Sequence, residues 1–317
     1  MARSGPRRLF GQPVVRRNDH TPATESSPVI AVDIGGTNLR VAVVDGDGAV
    51  LERRRVPTPT RGSITGSLAE LIADLGADPS YSAVVAVPGL VDYERRSALW
   101  APHLPPEWVT ELAEVQLSSR LCRRVSIAND ADLAAVGETY FGAGRDIRDV
   151  VFVTVSTGIG AGVLLNRRLV RGRRSIAEIG HTIIDRHAFS NREPATLEEL
   201  ASGSNVQRLA QIGAVPARTG EQLEALEESG DDRATAVWMQ IVESVTIGIL
   251  NLAWCFGPDL IIIGGGLGRE RPLLDPVRER LNEMTPAMAM GFALVIEELA
   301  DDAGLMGAAA WDRATTI

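Results

Sequence analysis

Asp33-Ile34-Gly35-Gly36-Thr37-Asn38-Leu39-Arg40 begins where one apolar run, Val29–Val32, ends and closes where the next, Leu39–Asp45, begins. Two adjacent glycines let a backbone turn tightly, approach a ligand closely and aim N–H groups at an anion. Thr37 and Asn38 add side-chain donors. Asp33 leaves the end of a strand, where its carboxylate can hold Mg²⁺ through water. Asp33, Gly35, Gly36, Thr37, Asn38 and Arg40 are therefore candidate phosphate contacts. A plain hairpin turn with no ligand explains the two glycines equally well, so the rest of the chain must decide.

The device recurs. Val153-Thr154-Val155-Ser156-Thr157-Gly158-Ile159-Gly160-Ala161-Gly162 again reads as strand, Gly-rich turn, strand, with Thr157, Gly158 and Gly160 as candidate contacts. Two such turns point to two loops closing on one polyphosphate from opposite sides. A third signal is the apolar run Leu260–Ile263 followed by Gly264-Gly265-Gly266, where Gly265 and Gly266 leave a flat surface for an adenine. Among these lies Ser126-Ile127-Ala128-Asn129-Asp130-Ala131-Asp132, a strand end entering a helix. Asp130 there is placed as a general base or as a helix N-cap.

Outward from these stretches the chain alternates. Val29–Val32, Leu39–Asp45 and Ala49–Val56 read as strands, with Asp45-Gly46-Asp47-Gly48 a hairpin turn. Ser63–Leu75 has helical spacing and Ser63 as N-cap. Ala83–Val87 is a strand ended by Pro88-Gly89, Glu107–Leu121 a helix and Val125–Ala128 a strand. The second half repeats the plan. Its helices are Ala131–Phe141, Thr196–Ile212, Ala234–Phe256, Pro272–Met284 and one from Gly304. Its strands are Val150–Val155, Gly162–Leu165, Leu260–Ile263 and Ala293–Ile296. This is an α/β chain with partly parallel sheets covered on both faces. The expected division is a disordered tail over 1–27, a small α/β domain over 28–128 and a large one over 129–303, with the helix at 304–317 packing back on the small domain.

Composition removes several classes. The 317 residues are 45% hydrophobic and 23% charged with net charge −9, an ordinary globular balance of the wrong sign for a nucleic-acid binder. No apolar run nears the ~20 residues of a membrane helix, and the Arg-rich start lacks the apolar centre of a secretory signal. Neither a nucleic-acid nor a membrane partner is expected, and the location expected is cytoplasmic. Cys122 and Cys255 stand far apart, which excludes a disulfide framework and a Cys-rich zinc module. The chain has no lysine; all 32 basic residues are arginine. A Walker-type phosphate loop, a Schiff-base enzyme and a pyridoxal phosphate enzyme all need one.

From about Val29 to Trp311 the chain resembles the ROK family of sugar kinases and repressors. The matching pieces, in order, are Asp33–Arg40, Pro88-Gly89-Leu90-Val91-Asp92, Ala101-Pro102-His103-Leu104-Pro105, Asn129-Asp130, Thr157–Gly162, Ala177-Glu178-Ile179-Gly180-His181, Leu197-Glu198 and Pro258–Gly266. The resemblance implies an actin-like (ribonuclease-H-like) two-domain fold with an interdomain cleft, a homodimer, and ATP with Mg²⁺ as cofactors. It implies that Asp130 removes the proton from a sugar C6 hydroxyl as that oxygen attacks the γ-phosphate. It also implies that Gly89, His103, Asn129, Glu178, His181 and Glu198 hold the sugar. Phosphoryl transfer of this kind needs positioning and charge neutralisation, not a lysine.

Two departures bear on the site. The family carries three cysteines between the His and Glu of the sugar site, binding structural zinc with that His. The interval from His181 to Glu198 has none, and His181 and His187 cannot complete such a site alone, so no zinc is expected. His103 stands where the family has Asn, either as neutral drift or as a response to a changed sugar substituent. Glucose and amino sugars such as kanosamine or glucosamine are the expected substrates. The competing readings are a sugar-responsive transcriptional regulator and an inactive sugar-binding protein. A regulator would carry a DNA-binding helical domain ahead of Asp33, and either alternative would tend to lose Asp130 and the glycine loops.

Overall fold

The computed structural model describes residues 27–102, 104–268, 271–284 and 291–316. The expected tail, Ser27 apart, and His103 lie outside the described residues. In chain order the strands are β1 (Val29–Ile34), β2 (Asn38–Val44), β3 (Val50–Pro57), β4 (Ala83–Val87), β5 (Leu90–Asp92), β6 (Ser97–Trp100), β7 (Val125–Asn129), β8 (Val150–Val155), β9 (Ile159–Leu165), β10 (Arg168–Leu169), β11 (Leu260–Gly264) and β12 (Ala293–Ile296). The helices are α1 (Ile64–Leu75), α2 (Pro106–Val109), α3 (Glu114–Leu121), α4 (Asp130–Tyr140), α5 (Arg186–Asn191), α6 (Leu197–Ala201), α7 (Val206–Ile212), α8 (Gly220–Glu228), α9 (Asp232–Phe256), α10 (Arg271–Met284) and α11 (Ala303–Thr315).

These elements form two compact units. One, here the N-terminal unit, takes the described residues up to Arg148, then Gly162–Ala177 and those from Glu298 to 316; the other, the central unit, takes the described residues of Asp149–Ala161 and Glu178–Glu297. The division falls after Arg148, not after Ala128, because α4 packs along α11 in the N-terminal unit.

The sheet of the N-terminal unit runs β3-β2-β1-β4-β7. β1 and β4 are apolar almost throughout and lie in the middle, paired in parallel, where both faces are covered. β3 carries Arg53, Arg54 and Arg55 at the sheet edge, and charge on an edge strand discourages pairing with another chain. The Asp45–Gly48 turn closes through the Asp45 carboxylate, which accepts the N–H of Ala49 at 2.8 Å. Ser63 caps α1 as expected, accepting the N–H of Gly66 at 3.1 Å. α4 and α11 cross at two glycines. A Cβ on Gly137 would stand 2.0 Å from the carbonyl oxygen of Ala303, and one on Gly307 2.0 Å from that of Leu133. At the end of α4 the fully buried Glu138 accepts the N–H groups of Ala143, Glu298 and Leu299 at 2.9, 3.0 and 2.7 Å.

In the central unit β11 lies between β8 and β12 and is parallel to both. β11 is buried at every residue. Among the described residues α9 is the one helix long and apolar enough to cross a membrane, an exception to the expectation from the sequence. Most of it is buried within the protein, packed on α6, α8 and α10.

Two expected helices are broken, each by a tertiary hydrogen bond. Glu107–Leu121 splits into α2 and α3 because the stretch between them is drawn to β6: Leu112 accepts the Ala98 N–H at 2.7 Å, and Ala113 bridges to Ser97. Thr196–Ile212 splits into α6 and α7 because Gly203 and Ser204 donate their N–H groups to Ser156 and Thr157 at 2.7 and 3.2 Å. Both are cases of a long-range partner overriding helical periodicity.

Gly307→Ala should lower unfolding stability by about 1–3 kcal/mol, the usual cost of overpacking. Chemical unfolding checks this, and an unchanged midpoint would mean that α4 and α11 are not locked at that crossing.

Candidate active site

In the N-terminal unit the glycine turn after β1 is a tight hairpin. The Gly35 N–H donates to the Asn38 carbonyl at 3.0 Å, and a Cβ on Gly35 would meet that oxygen at 2.9 Å. Thr58 braces the turn from β3: its N–H donates to Thr37 O and its hydroxyl to Gly35 O. Gly36 and Thr37 remain exposed at the tip. Asp33 and Arg40 are cross-strand partners, and the guanidinium binds Asp33 Oδ2 through Nε at 2.8 Å and through a second nitrogen. Arg40 also donates to the Asp301 carbonyl at 2.6 Å.

β7 delivers Asn129 and Asp130 to the start of α4. The N-cap is Asn129, whose Oδ1 accepts the Asp132 N–H at 3.0 Å, so the capping alternative for Asp130 does not hold. Asn129 Nδ2 donates to the Gly89 carbonyl at 2.9 Å. Gly89 has φ +109°, and a Cβ there would stand 2.4 Å from the Trp100 carbonyl oxygen, so no other residue fits. Asp130 is the first residue of α4 and is exposed, with Oδ1 accepting the N–H of Ala131 at 2.9 Å. The structure thus brings Gly89, Asn129 and Asp130 together. Two residues given no role from the sequence join them. The Tyr93 hydroxyl donates to Asp132 Oδ2 at 2.6 Å and accepts the Asn129 N–H at 3.1 Å. Desolvation, reinforced by the Asp132 charge, pushes the Tyr93 phenol well above its ordinary range.

In the central unit the turn between β8 and β9 is built around Glu198. Its Oε2 accepts the N–H of Ile159 at 2.9 Å and would lie 2.6 Å from a Cβ on Gly158. Glu198 sits in the first turn of α6, after a capping box in which Thr196 Oγ1 accepts the Glu199 N–H while Glu199 reaches back to the Thr196 N–H at 3.0 Å. These bonds, first those from Thr196, hold the Glu199 carboxyl below its usual range. Glu178 precedes a 3₁₀ turn over Ile179–His181, and Gly180 lets that turn touch β9, since a Cβ there would be 2.2 Å from Ile159 O. His181 is exposed and His187 lies in α5. The cysteine-free loop from His181 to Glu198 is fixed by backbone bonds: Ile184 N–H to Ala195 O at 2.9 Å and Leu197 N–H to Thr182 O at 3.0 Å.

After β11, Gly265 has φ +86° and stands so close to β8 that a Cβ would meet Val155 O at 2.6 Å. The N–H groups of Leu267 and Gly268 donate to that same carbonyl at 3.0 and 3.1 Å, and the Gly265 N–H to Glu297 Oε1 at 3.1 Å. Gly266 faces open space. Glu297 has no motif in the sequence to mark it.

The chain belongs to the ROK family, whose model matches residues 29–315. It is 36% identical over 293 residues to a bifunctional enzyme NanE/NanK of Brucella suis, covering 90% of this chain and 53% of that protein. The chain therefore spans about half the length of that relative. An N-acetylmannosamine kinase of Haemophilus influenzae is 30% identical, over 89% of this chain and 94% of its own. Among solved structures, the ROK glucokinase of Streptomyces griseus in complex with glucose and AMPPNP superposes with a TM-score of 0.76 at 29% identity, over 90% of this chain and 99% of that one. The two α/β units are those of the actin-like fold that ROK sugar kinases share.

Glu198→Ala should release the Ile159 amide. Its hydrogen-exchange protection should fall about tenfold, the equivalent of one bond to a charged acceptor. Unchanged protection would remove Glu198 from the loop.

Proposed function

We propose that the chain is an ATP-dependent kinase that phosphorylates the C6 hydroxyl of a hexose or amino-hexose. The observation that carries this reading is the division of labour at the start of α4: Asn129 caps the helix, and Asp130 presents its carboxylate at the exposed first turn. Asp130 accepts the proton of the sugar hydroxyl as that oxygen bonds to the γ-phosphorus. The bond from the γ-phosphorus to the bridging oxygen breaks and ADP leaves.

The remaining residues hold substrate. Asn129 has one amide proton engaged with Gly89 and a second to offer a hydroxyl. Glu178, His181 and Glu198 supply acceptors for sugar hydroxyls, Glu198 through the oxygen not given to Ile159. Charged acceptors make the stronger bonds. The N–H groups of the Gly35–Asn38 and Thr157–Gly160 turns suit phosphate oxygens, and the open face at Gly266 suits an adenine. Asp33 fits Mg²⁺ through water, because the contacts of Arg40 fall on one oxygen, and Mg²⁺ accepts a single carboxylate beside its own waters. Bound there, Mg²⁺ would neutralise phosphate charge. The loop from His181 to Glu198 is read as zinc-free, and the assembly as a homodimer.

The amino-sugar reading rests on His103. A neutral imidazole accepts a bond from an ammonium group where Asn offers a fixed amide, and Glu178 and Glu198 add negative charge.

Asp130→Asn should lower kcat by ~10²–10⁴-fold while sugar binding, measured calorimetrically, persists. Near-normal turnover would remove Asp130 as the base. In a panel of glucose, kanosamine and glucosamine, an aminohexose should match or exceed glucose in kcat/KM, with His103→Asn shifting the ratio towards glucose. An unchanged preference for glucose in both proteins would make His103 neutral drift. No turnover on any sugar would favour an inactive binder.

A further inference from the structure

We propose that Tyr93 is a positioning residue for Asp130, its hydroxyl completing a helix cap that Asp132 is too short to complete. This rests on the reading of Asp130 as the base.

A capping box closes in two halves. The N-cap side chain accepts the N–H three residues on, and the side chain at that third position reaches back to the N-cap N–H. The second half suits Glu or Gln. α6 shows the complete form, with Thr196 and Glu199. At α4 the same two positions are Asn129 and Asp132. The first half is made, Asp132 N–H to Asn129 Oδ1 at 3.0 Å. The second half ends in Asp, one methylene shorter than Glu, and Tyr93 bridges it. The Asn129 N–H donates to the phenol oxygen at 3.1 Å, and the phenol donates to Asp132 Oδ2 at 2.6 Å.

The bridge is held rigidly. The Tyr93 N–H donates to the Arg173 carbonyl at 2.9 Å, the Arg171 guanidinium lies 5.3 Å from the ring centroid, and the Trp311 ring packs at 6.1 Å. Asp132 is 1% exposed, and the Tyr93 hydroxyl gives its buried Oδ2 a donor. The phenol is already protonated at neutral pH at its ordinary pKa, and desolvation pushes it higher still, which keeps the donor in place. Asp130 is the first of the two residues, with Ala131, that lie between Asn129 and Asp132. A change in the pitch of that turn moves its carboxylate directly, and displacement of a reacting group by 1 Å can cost ~10²-fold in rate. Tyr93 and Gly89 flank β5, so the bridge also ties the Gly89 turn to the base.

The test is steady-state kinetics on Tyr93→Phe, Asp130→Asn, the two combined, and Tyr93→Phe with Asp132→Glu. Phe keeps the ring and removes the bridge. Tyr93→Phe should lower kcat by roughly 10–100-fold and change sugar KM by less than about threefold. In the Asp130→Asn background the same change should cost less than about twofold, because residues acting through one group are not additive. Asp132→Glu should restore most of the loss in Tyr93→Phe, since Glu reaches the Asn129 N–H unaided. An unchanged kcat in Tyr93→Phe beside a dead Asp130→Asn overturns the proposal. So does an equal loss in both backgrounds, or failure of Asp132→Glu to rescue. Normal turnover in Asp130→Asn instead overturns the base itself, and with it this role for Tyr93.

Discussion

Both ends of the Asn129 side chain are committed to the protein, and the surroundings of Asp130 follow from that. Oδ1 takes the Asp132 N–H and Nδ2 gives a proton to the Gly89 carbonyl. The first bond starts α4 and relieves Asp130 of capping it. The second fixes the turn out of β4, which only glycine can make, since the Trp100 carbonyl occupies the space of a Cβ. α4 in turn lies on α11 through Gly137 and Gly307, and Glu138 accepts the N–H of Ala143 just after α4 and that of Leu299 just ahead of α11. The carboxylate proposed as the base is thus mounted on a helix fixed at both ends, the support that such a role requires.

The central unit follows the same logic with different residues. Glu198 holds the glycine turn by its Ile159 N–H, and Gly203 and Ser204 hold it from the other side through Ser156 and Thr157. A turn of this sort cannot be rigid through its own glycines, which cost the most conformational entropy to order. Partners from α6 and the segment after it supply the order. They also explain how the His181–Glu198 loop is shaped without cysteine: Ala195 accepts the Ile184 N–H, and Thr182 that of Leu197. The glycine turn after β11 is likewise wrapped on the Val155 carbonyl.

Much of this was legible in the sequence. The glycine turns, the buried strands and the Ser63 cap carry local signals, because turn chemistry and apolar runs act within a few residues. The helices that periodicity predicts over 107–121 and 196–212 are each broken, because Leu112 and Gly203 take partners outside those segments, in β6 and after β8, that periodicity does not register. α8 has no counterpart among the expected helices: Leu223 is its one buried residue and Leu226 is half-buried, a short stripe in an otherwise polar segment. At the site, the pair Asn129 and Asp132 has capping spacing, which could have assigned the cap to Asn129. Tyr93 and Glu297 carry no such mark, since what they do depends on tertiary placement alone.

The proposed reaction moves a phosphoryl group from ATP to the C6 oxygen of a hexose. Phosphorus–proton correlation NMR of the product formed from ATP, Mg²⁺ and sugar tests it directly. The expected result is one phosphoester coupled to the C6 protons, formed in step with ADP. A phosphoester on another carbon, or ADP and inorganic phosphate with no sugar ester, would contradict it.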